Sequence, residues 1–198
     1  MNRTKIVLAA VLSFVFSPLA AQDFQKGLEA ARVGDFATAL QEWKPLAEQG
    51  DADAQYNLAH MYRKGAGVMQ DNVEALKWFR AAAEQGEPSA QTTVGVYYDN
   101  GEVVNQDHEA AETWFRLGAT GGDAHGQYKL GQLYEFGRGL PKSIFMASMW
   151  YSVAAVNQHE VATEWRDDLF GMMSDDDVVK AQAMARLCMR SYYKKCVY

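Results

Sequence analysis

Residues 54–86 read AQYNLAHMYRKGAGVMQDNVEALKWFRAAAEQG, and the pattern of this stretch returns twice at an offset of 36 residues. Equivalent positions, which we call columns, carry similar side chains: Leu58, Val94 and Leu130; Tyr62, Tyr98 and Tyr134; Gly65, Gly101 and Gly137; Asp71, Asp107 and Ser143; Ala75, Ala111 and Ala147; Trp78, Trp114 and Trp150. A unit of this length cannot bury its own apolar face, so units must stack on their neighbours. The sequence therefore predicts an open, curved, all-α solenoid, an architecture that usually serves binding.

Each repeat reads as a helix, a glycine turn and a second helix. Leu58 and Tyr62 lie four residues apart and share one buried face of the first helix. Gly65 ends that helix, and Asp71 is placed to cap the next one through its side-chain oxygen. The tryptophans recur at one position of the second helix, which favours a role in the core over a role in stacking on a ligand.

The array changes at both ends. Residues 22–53 form an irregular N-terminal unit in which Trp43 falls in the column of Phe79. Three full repeats cover residues 54–161, although Gln158 stands where Gly86 and Gly122 close the earlier units. Two further helices, predicted over His159–Gly171 and Ser174–Arg190, then form a C-terminal cap within residues 162–198.

The N-terminus has the pattern of a secretory signal, predicted over residues 1–21. Arg3 and Lys5 precede an apolar stretch of about 11 residues, and Ala20 and Ala21 offer a small-residue cleavage site. The stretch is well short of the roughly 20 residues that span a bilayer, so an uncleaved anchor is the disfavoured alternative. We expect a periplasmic or secreted protein that does not span the membrane once processed.

The charge balance argues against nucleic acid as a partner. Loss of the signal leaves 17 of the 19 basic residues against 25 acidic ones, a net charge of −8. Proteins bind nucleic acid largely by neutralising phosphates with cations, which are in the minority here.

Cys188 and Cys196 are the only cysteines, and export to an oxidising compartment favours a disulfide between them. In one continuous helix their Cα atoms would be about 12 Å apart, well beyond disulfide reach. A bridge thus requires the helix to end and the chain to fold back, near Ser191 to Lys194. Two free thiols are the alternative.

The sequence contains no recognisable catalytic or metal-binding motif. The four histidines, His60, His108, His125 and His159, lie in separate segments without a repeated ligand spacing. Nucleophile-elbow, phosphate-loop and zinc-protease motifs do not occur. We therefore predict no catalytic residue, no metal and no cofactor.

The candidate site is the concave groove that the first helices would line. Positions between the core residues should point into it, and they are Tyr56, His60, Arg63, Lys64, Thr92, Val96, Asp99, Asn100, Tyr128, Gln132, Glu135 and Phe136. This groove would run from basic to acidic with aromatic side chains at both ends. It suits an extended peptide or a partner helix, and a solvated face without a ligand is the alternative.

The repeats resemble the Sel-1-like repeat family, a relative of the tetratricopeptide repeats. The resemblance rests on Ala-x-x-x-Leu-x-x-x-Tyr-x-x-Gly-x-Gly-Val-x-x-Asp followed by Ala-x-x-Trp-Phe-x-x-Ala-Ala-x-x-Gly, carried best by residues 54–86. Val103 departs from it at the second loop glycine, as Gln158 does at the closing glycine. The resemblance implies a right-handed α/α solenoid and adaptor or regulatory work through protein contacts, often in bacterial envelopes.

We therefore predict a non-catalytic interaction scaffold with a protein or peptide partner. A module that binds envelope glycan or peptidoglycan through the groove aromatics is the alternative. A hydrolase is a third class, disfavoured by the missing catalytic constellation.

Overall fold

The computed structural model describes residues 23–196, which form ten α-helices joined by turns and short loops. They are α1 (Phe24–Arg32), α2 (Phe36–Glu48), α3 (Ala52–Lys64), α4 (Asn72–Glu84), α5 (Pro88–Asn100), α6 (His108–Thr120), α7 (Ala124–Phe136), α8 (Ile144–Val156), α9 (Ala162–Phe170) and α10 (Asp175–Arg190). From α1 to α8 the helices pack as four consecutive pairs, and each pair packs on the next. This confirms the predicted all-α solenoid. The predicted signal lies outside the described residues.

The predicted helix boundaries rest on side-chain caps. Asp71 Oδ1 accepts hydrogen bonds from the backbone N–H groups of Val73 and Glu74 at 2.9 and 3.0 Å. Asp107 caps α6 in the same way, and Ser143 caps α8 by accepting one hydrogen bond from the N–H of Met146. These contacts satisfy N–H groups that have no partner within the helix.

The buried aromatic column lies one residue after the tryptophan column that the repeat pattern predicts for the core. Phe79, Phe115 and Tyr151 are completely buried, and Trp43 continues their column into the first unit at 3% exposure. In the tryptophan column only Trp150 is fully buried, whereas Trp78 and Trp114 are partly buried and pack against the edge of the core. The prediction of three equivalent core tryptophans is therefore wrong for two of them.

Trp150 differs because of the C-terminal cap. α9 and α10 both pack on α8, while their contact with each other is slight at most. Every residue of α8 from Ala147 to Ala154 is consequently buried. α4 and α6 carry no such extra helix, which leaves Trp78 and Trp114 partly open to solvent.

A buried glutamine column joins successive repeats and was not recognised in the sequence. The side-chain amides of Gln55, Gln91 and Gln127 donate to the backbone carbonyls of Ala47, Ala83 and Ala119, each at 3.1 Å. Those carbonyls lie in the last turns of α2, α4 and α6, and they also accept hydrogen bonds from the backbone N–H groups of Gly50, Gly86 and Gly122. Each glutamine thus ties one repeat to the end of the repeat before it.

The two cysteines form the predicted disulfide. α10 ends at Arg190, and the chain folds back until the Cα atoms of Cys188 and Cys196 are 4.4 Å apart. Tyr192 and Tyr193 adopt left-handed φ values of 51° and 61° in the reversal. The turn therefore falls where the spacing of the cysteines required it.

Val103 has a left-handed backbone that a β-branched residue rarely adopts. Its φ is 67°, close to the 73° and 70° of Gly67 and Gly139 in the same column. In this region an L side chain costs roughly 1–2 kcal/mol. The fold of the loop thus overrides the local preference of valine.

We expect Val103→Gly to raise the free energy of unfolding by about 1 kcal/mol. The free energy gained by relief of the backbone strain exceeds the entropic cost of ordering a more flexible glycine on folding. Urea unfolding measures the change. The matched control is Gly67→Val, which should destabilise, since a Cβ there would lie 2.8 Å from the Phe36 carbonyl oxygen. A loss of stability in Val103→Gly would contradict this account.

Candidate binding groove

The predicted groove residues all lie on α3, α5 and α7, and most of them reach the surface. Lys64, Asn100 and Phe136 are exposed, whereas the half-buried ones are Tyr56, His60, Arg63, Val96, Gln132 and Glu135. Thr92, Asp99 and Tyr128 are 2%, 9% and 8% exposed, so the expectation that these three face an open groove is wrong.

Thr92 and Asp99 are buried because each has a partner within the fold. The Thr92 hydroxyl donates to Asp123 Oδ2 at 2.7 Å across the contact between two repeats. Asp99 Oδ1 lies 2.9 Å from His108 Nδ1. The first contact therefore joins α5 to the residue that caps α7, the first helix of the next repeat, and the second joins α5 to α6 within one repeat.

Glu135 is also engaged internally. Its Oε2 accepts a hydrogen bond of 2.6 Å from the hydroxyl of the buried Tyr151. Burial, followed by this hydrogen bond, strongly raises the pKa of Tyr151. Because Asp99 and Glu135 both have internal partners, the acidic end that we predicted for the groove is not a pair of free carboxylates. The predicted basic charge of the groove comes from Arg63 and Lys64.

That basic charge lies at the C-terminal end of α3. The ring of His60 makes edge contacts with Tyr56 and Phe79, with centroids 4.5 and 4.9 Å apart. Burial, followed by the positive charges of Arg63 and Lys64, lowers the pKa of His60 from 6.5 to about 4. The imidazole is therefore neutral at pH 7.

Neutral His60 holds Arg63 in place without cancelling its charge. Arg63 Nη2 lies 3.0 Å from His60 Nδ1, and since a guanidinium can only donate, Nδ1 must be the acceptor. The Arg63 guanidinium also lies over the Phe79 ring, 5.8 Å from its centroid. Among the described residues, no carboxylate forms an ion pair with Arg63 or Lys64.

A cavity of about 470 Å³ is lined in part by Lys64 and by His60, the residue that contacts Arg63. Its lining is mostly apolar and comes from the first unit and α3: Ala31, Phe36, Trp43, Tyr56, Asn57, His60, Met61, Lys64 and Ala66. The sequence pattern indicated only the α3 side, because the first unit departs from the repeat pattern. The column shared by Trp43 and Phe79 was the available sign that this unit stacks in register.

The other end of the groove is covered by the cap. Tyr128 stacks on His159 with centroids 4.3 Å apart, and Trp165 of α9 meets Tyr128 and Phe136 edge-on at 6.0 and 6.3 Å. His125 Nδ1 and His159 Nε2 lie 3.2 Å apart, although the two residues are 34 positions apart in the chain. Burial is the main cause that lowers the pKa of both histidines. No repeat pattern pointed to Trp165, which lies beyond the repeats.

Two further findings bear on function. Within residues 23–196, no three or more His, Cys, Asp or Glu side chains are grouped so that they could hold a metal ion. None of the helices in this range has the length and apolarity needed to cross a bilayer.

Comparison with known proteins gives a consistent result. The family model for the Sel1 repeat matches residues 52–87, 88–123 and 124–156. The crystal structure of a Sel1 repeat protein from Oxalobacter formigenes is similar, with 38% identity and a TM-score of 0.61, over 66% of this chain and 98% of that one. A search of curated proteins found no match.

A second similar structure is that of c5321, described as a protective antigen present in uropathogenic Escherichia coli strains and displaying an SLR fold. It is 26% identical with a TM-score of 0.57, over 86% of this chain and 46% of that protein. The three matched repeats account for more than half of the sequence, and in the structure each of them forms one of the stacked helix pairs. The chain belongs to the Sel1 repeat family.

Proposed function

We propose that this protein is an exported, non-catalytic adaptor that binds a segment of a partner protein at the N-terminal end of its groove. Sel1 repeats generally serve as scaffolds for protein contacts. The single observation that carries the proposal is the mostly apolar cavity lined by Lys64 and by His60, which contacts Arg63. Neither cation has an acidic partner among residues 23–196. This arrangement favours a segment with an apolar anchor side chain followed by acidic residues.

Export is the second part of the proposal. It is supported by the charged, apolar and small-residue order of residues 1–21 and by the disulfide in the C-terminal cap. The similarity to a protein described as a protective antigen agrees with a location outside the cytoplasm.

We expect the double variant Arg63→Glu, Lys64→Glu to bind acidic, apolar-anchored peptides at least about 10-fold more weakly than the unmodified protein, a difference of about 1.4 kcal/mol. Such peptides can be selected from a displayed library on the unmodified protein and then measured by fluorescence anisotropy. Charge reversal removes the attraction and adds repulsion, and both side chains lie outside the buried core.

The matched control is Lys194→Glu, Lys195→Glu, which changes the net charge equally at an exposed site on the C-terminal tail. Equal peptide affinity in the groove variant and this control would contradict the proposed site. Co-sedimentation with purified peptidoglycan that does not depend on Arg63 and Lys64 would instead favour the glycan-binding alternative.

A further inference from the structure

A second cavity, of about 290 Å³, lies between α8 and the two cap helices, away from the groove. It is lined by Ser152, Val156, Arg166, Gln182, Ala185, Arg186 and Met189. The cavity exists because α9 and α10 pack on α8 without packing closely on each other. Its walls therefore come from three helices, and each cap helix contributes one arginine.

The polar groups of this cavity have hydrogen-bonding capacity to spare. Arg166 uses its Nε and one Nη2 hydrogen on Asp167 Oδ1, at 2.7 and 2.6 Å, which leaves three of its five N–H donors. Arg186 and the Gln182 side chain make no hydrogen bond or ion pair with any residue from 23 to 196. Donors from α9 and α10 thus line one space.

The charge of the lining points to an anion. Arg166 and Arg186 both belong to the lining, which includes no acidic residue, and Asp167, outside the lining, forms an ion pair with Arg166. Guanidinium groups match the planar, multi-donor recognition of carboxylate and phosphate oxygens. An oxyanion bound here would balance the charge of Arg186, which has no ion-pair partner among residues 23–196, and would accept hydrogen bonds from the remaining donors of Arg166.

The remaining lining adds a second requirement. Val156, Ala185 and Met189 give the cavity an apolar wall beside the arginines. A ligand that carries only charge would leave this wall in contact with water. A short apolar group next to the charged one would cover it and gain free energy from the buried area.

We propose that this cavity binds a small oxyanion, a carboxylate or a phosphate ester, that carries a short apolar tail. The oxyanion bridges Arg166 and Arg186, and the tail lies against the apolar wall. Because the ligand connects α9 with α10, it stabilises the cap. This site does not depend on the groove, so either can exist without the other.

Titration calorimetry and thermal melting with hexanoate and hexyl phosphate test the proposal, with inorganic phosphate and hexanol as partial ligands. We expect saturable binding and a raised melting temperature with at least one amphiphilic anion, and affinities at least about 10-fold lower for both partial ligands. Arg166→Gln and Arg186→Gln should each weaken binding by about 10-fold or more. Arg190→Gln, an exposed arginine on the same helix outside the cavity, should have no effect.

Chemical-shift mapping on the unmodified protein keeps the test independent of how the variants fold. Amide shifts that concentrate at Ser152, Gln182 and Met189 on titration would support the site. The proposal would be overturned if neither hexanoate nor hexyl phosphate showed saturable binding up to about 10 mM. It would also be overturned if the Arg166→Gln and Arg186→Gln variants bound the amphiphilic anion as tightly as the unmodified protein does. The same holds if inorganic phosphate bound as tightly as the amphiphilic anion.

Discussion

Phe115→Ala is expected to lower the free energy of unfolding by about 3–5 kcal/mol, the range for a large aromatic side chain removed from a packed core. Phe115 is completely buried in the middle repeat. Its ring lies so close to α5 that a Cβ on Gly95 would come within 2.6 Å of it. The loss would be a large part of the stability of a domain of this size. Chemical denaturation followed by circular dichroism measures it.

Trp114→Ala provides the control, because Trp114 is the adjacent and larger side chain but is only partly buried. Trp114→Ala should lower the free energy of unfolding clearly less than Phe115→Ala does. A larger effect at Trp114 would restore the interpretation that the tryptophan column holds the array together.

Removal of the disulfide by Cys188→Ser together with Cys196→Ser should cost about 2.5 kcal/mol, the value that chain entropy gives for so short a ring. The bridge holds the tail in the reversed course that brings the Tyr193 hydroxyl within 2.8 Å of Asn157 Nδ2. Asn157 in turn donates to Gln127 Oε1 at 2.8 Å. Without the bridge, we expect this connection between tail and third repeat to weaken.

Urea unfolding of the double serine variant, compared with the oxidised protein, measures that cost. Tyr193→Phe is the companion variant, since it removes the hydroxyl contact and keeps the bridge. Labelling of unfolded, unreduced protein taken from its native cells should find no free thiol. Two labelled thiols would contradict both the bridge in the cell and the proposed export.

Local chemistry explains what the sequence could predict. The glycine turns, the Asp71 column of caps and the fold-back between the cysteines each depend on residues close together in the chain. The repeat period extends these local features into an array, because similar units must bury similar faces. For that reason the stacked architecture and the cap helices agree with the structure.

Features that depend on distant contacts could not be read in the same way. Trp78 and Phe79 are adjacent on one apolar stripe, and only the packing of neighbouring helices determines which of them is enclosed. Glutamine is a polar residue, so the sequence alone does not indicate that the Gln91 column is buried against backbone carbonyls. Asp99 appeared free because His108 approaches it only after the loop between them has folded.

The enclosure of α8 bears on how such an array can change its length. Tandem duplication adds a unit where an existing helix pair still offers a surface for stacking. α9 and α10 already occupy that surface on α8, whereas the earlier pairs each receive an ordinary repeat. Growth of this array at its C-terminal end would therefore require the cap to be displaced or rebuilt.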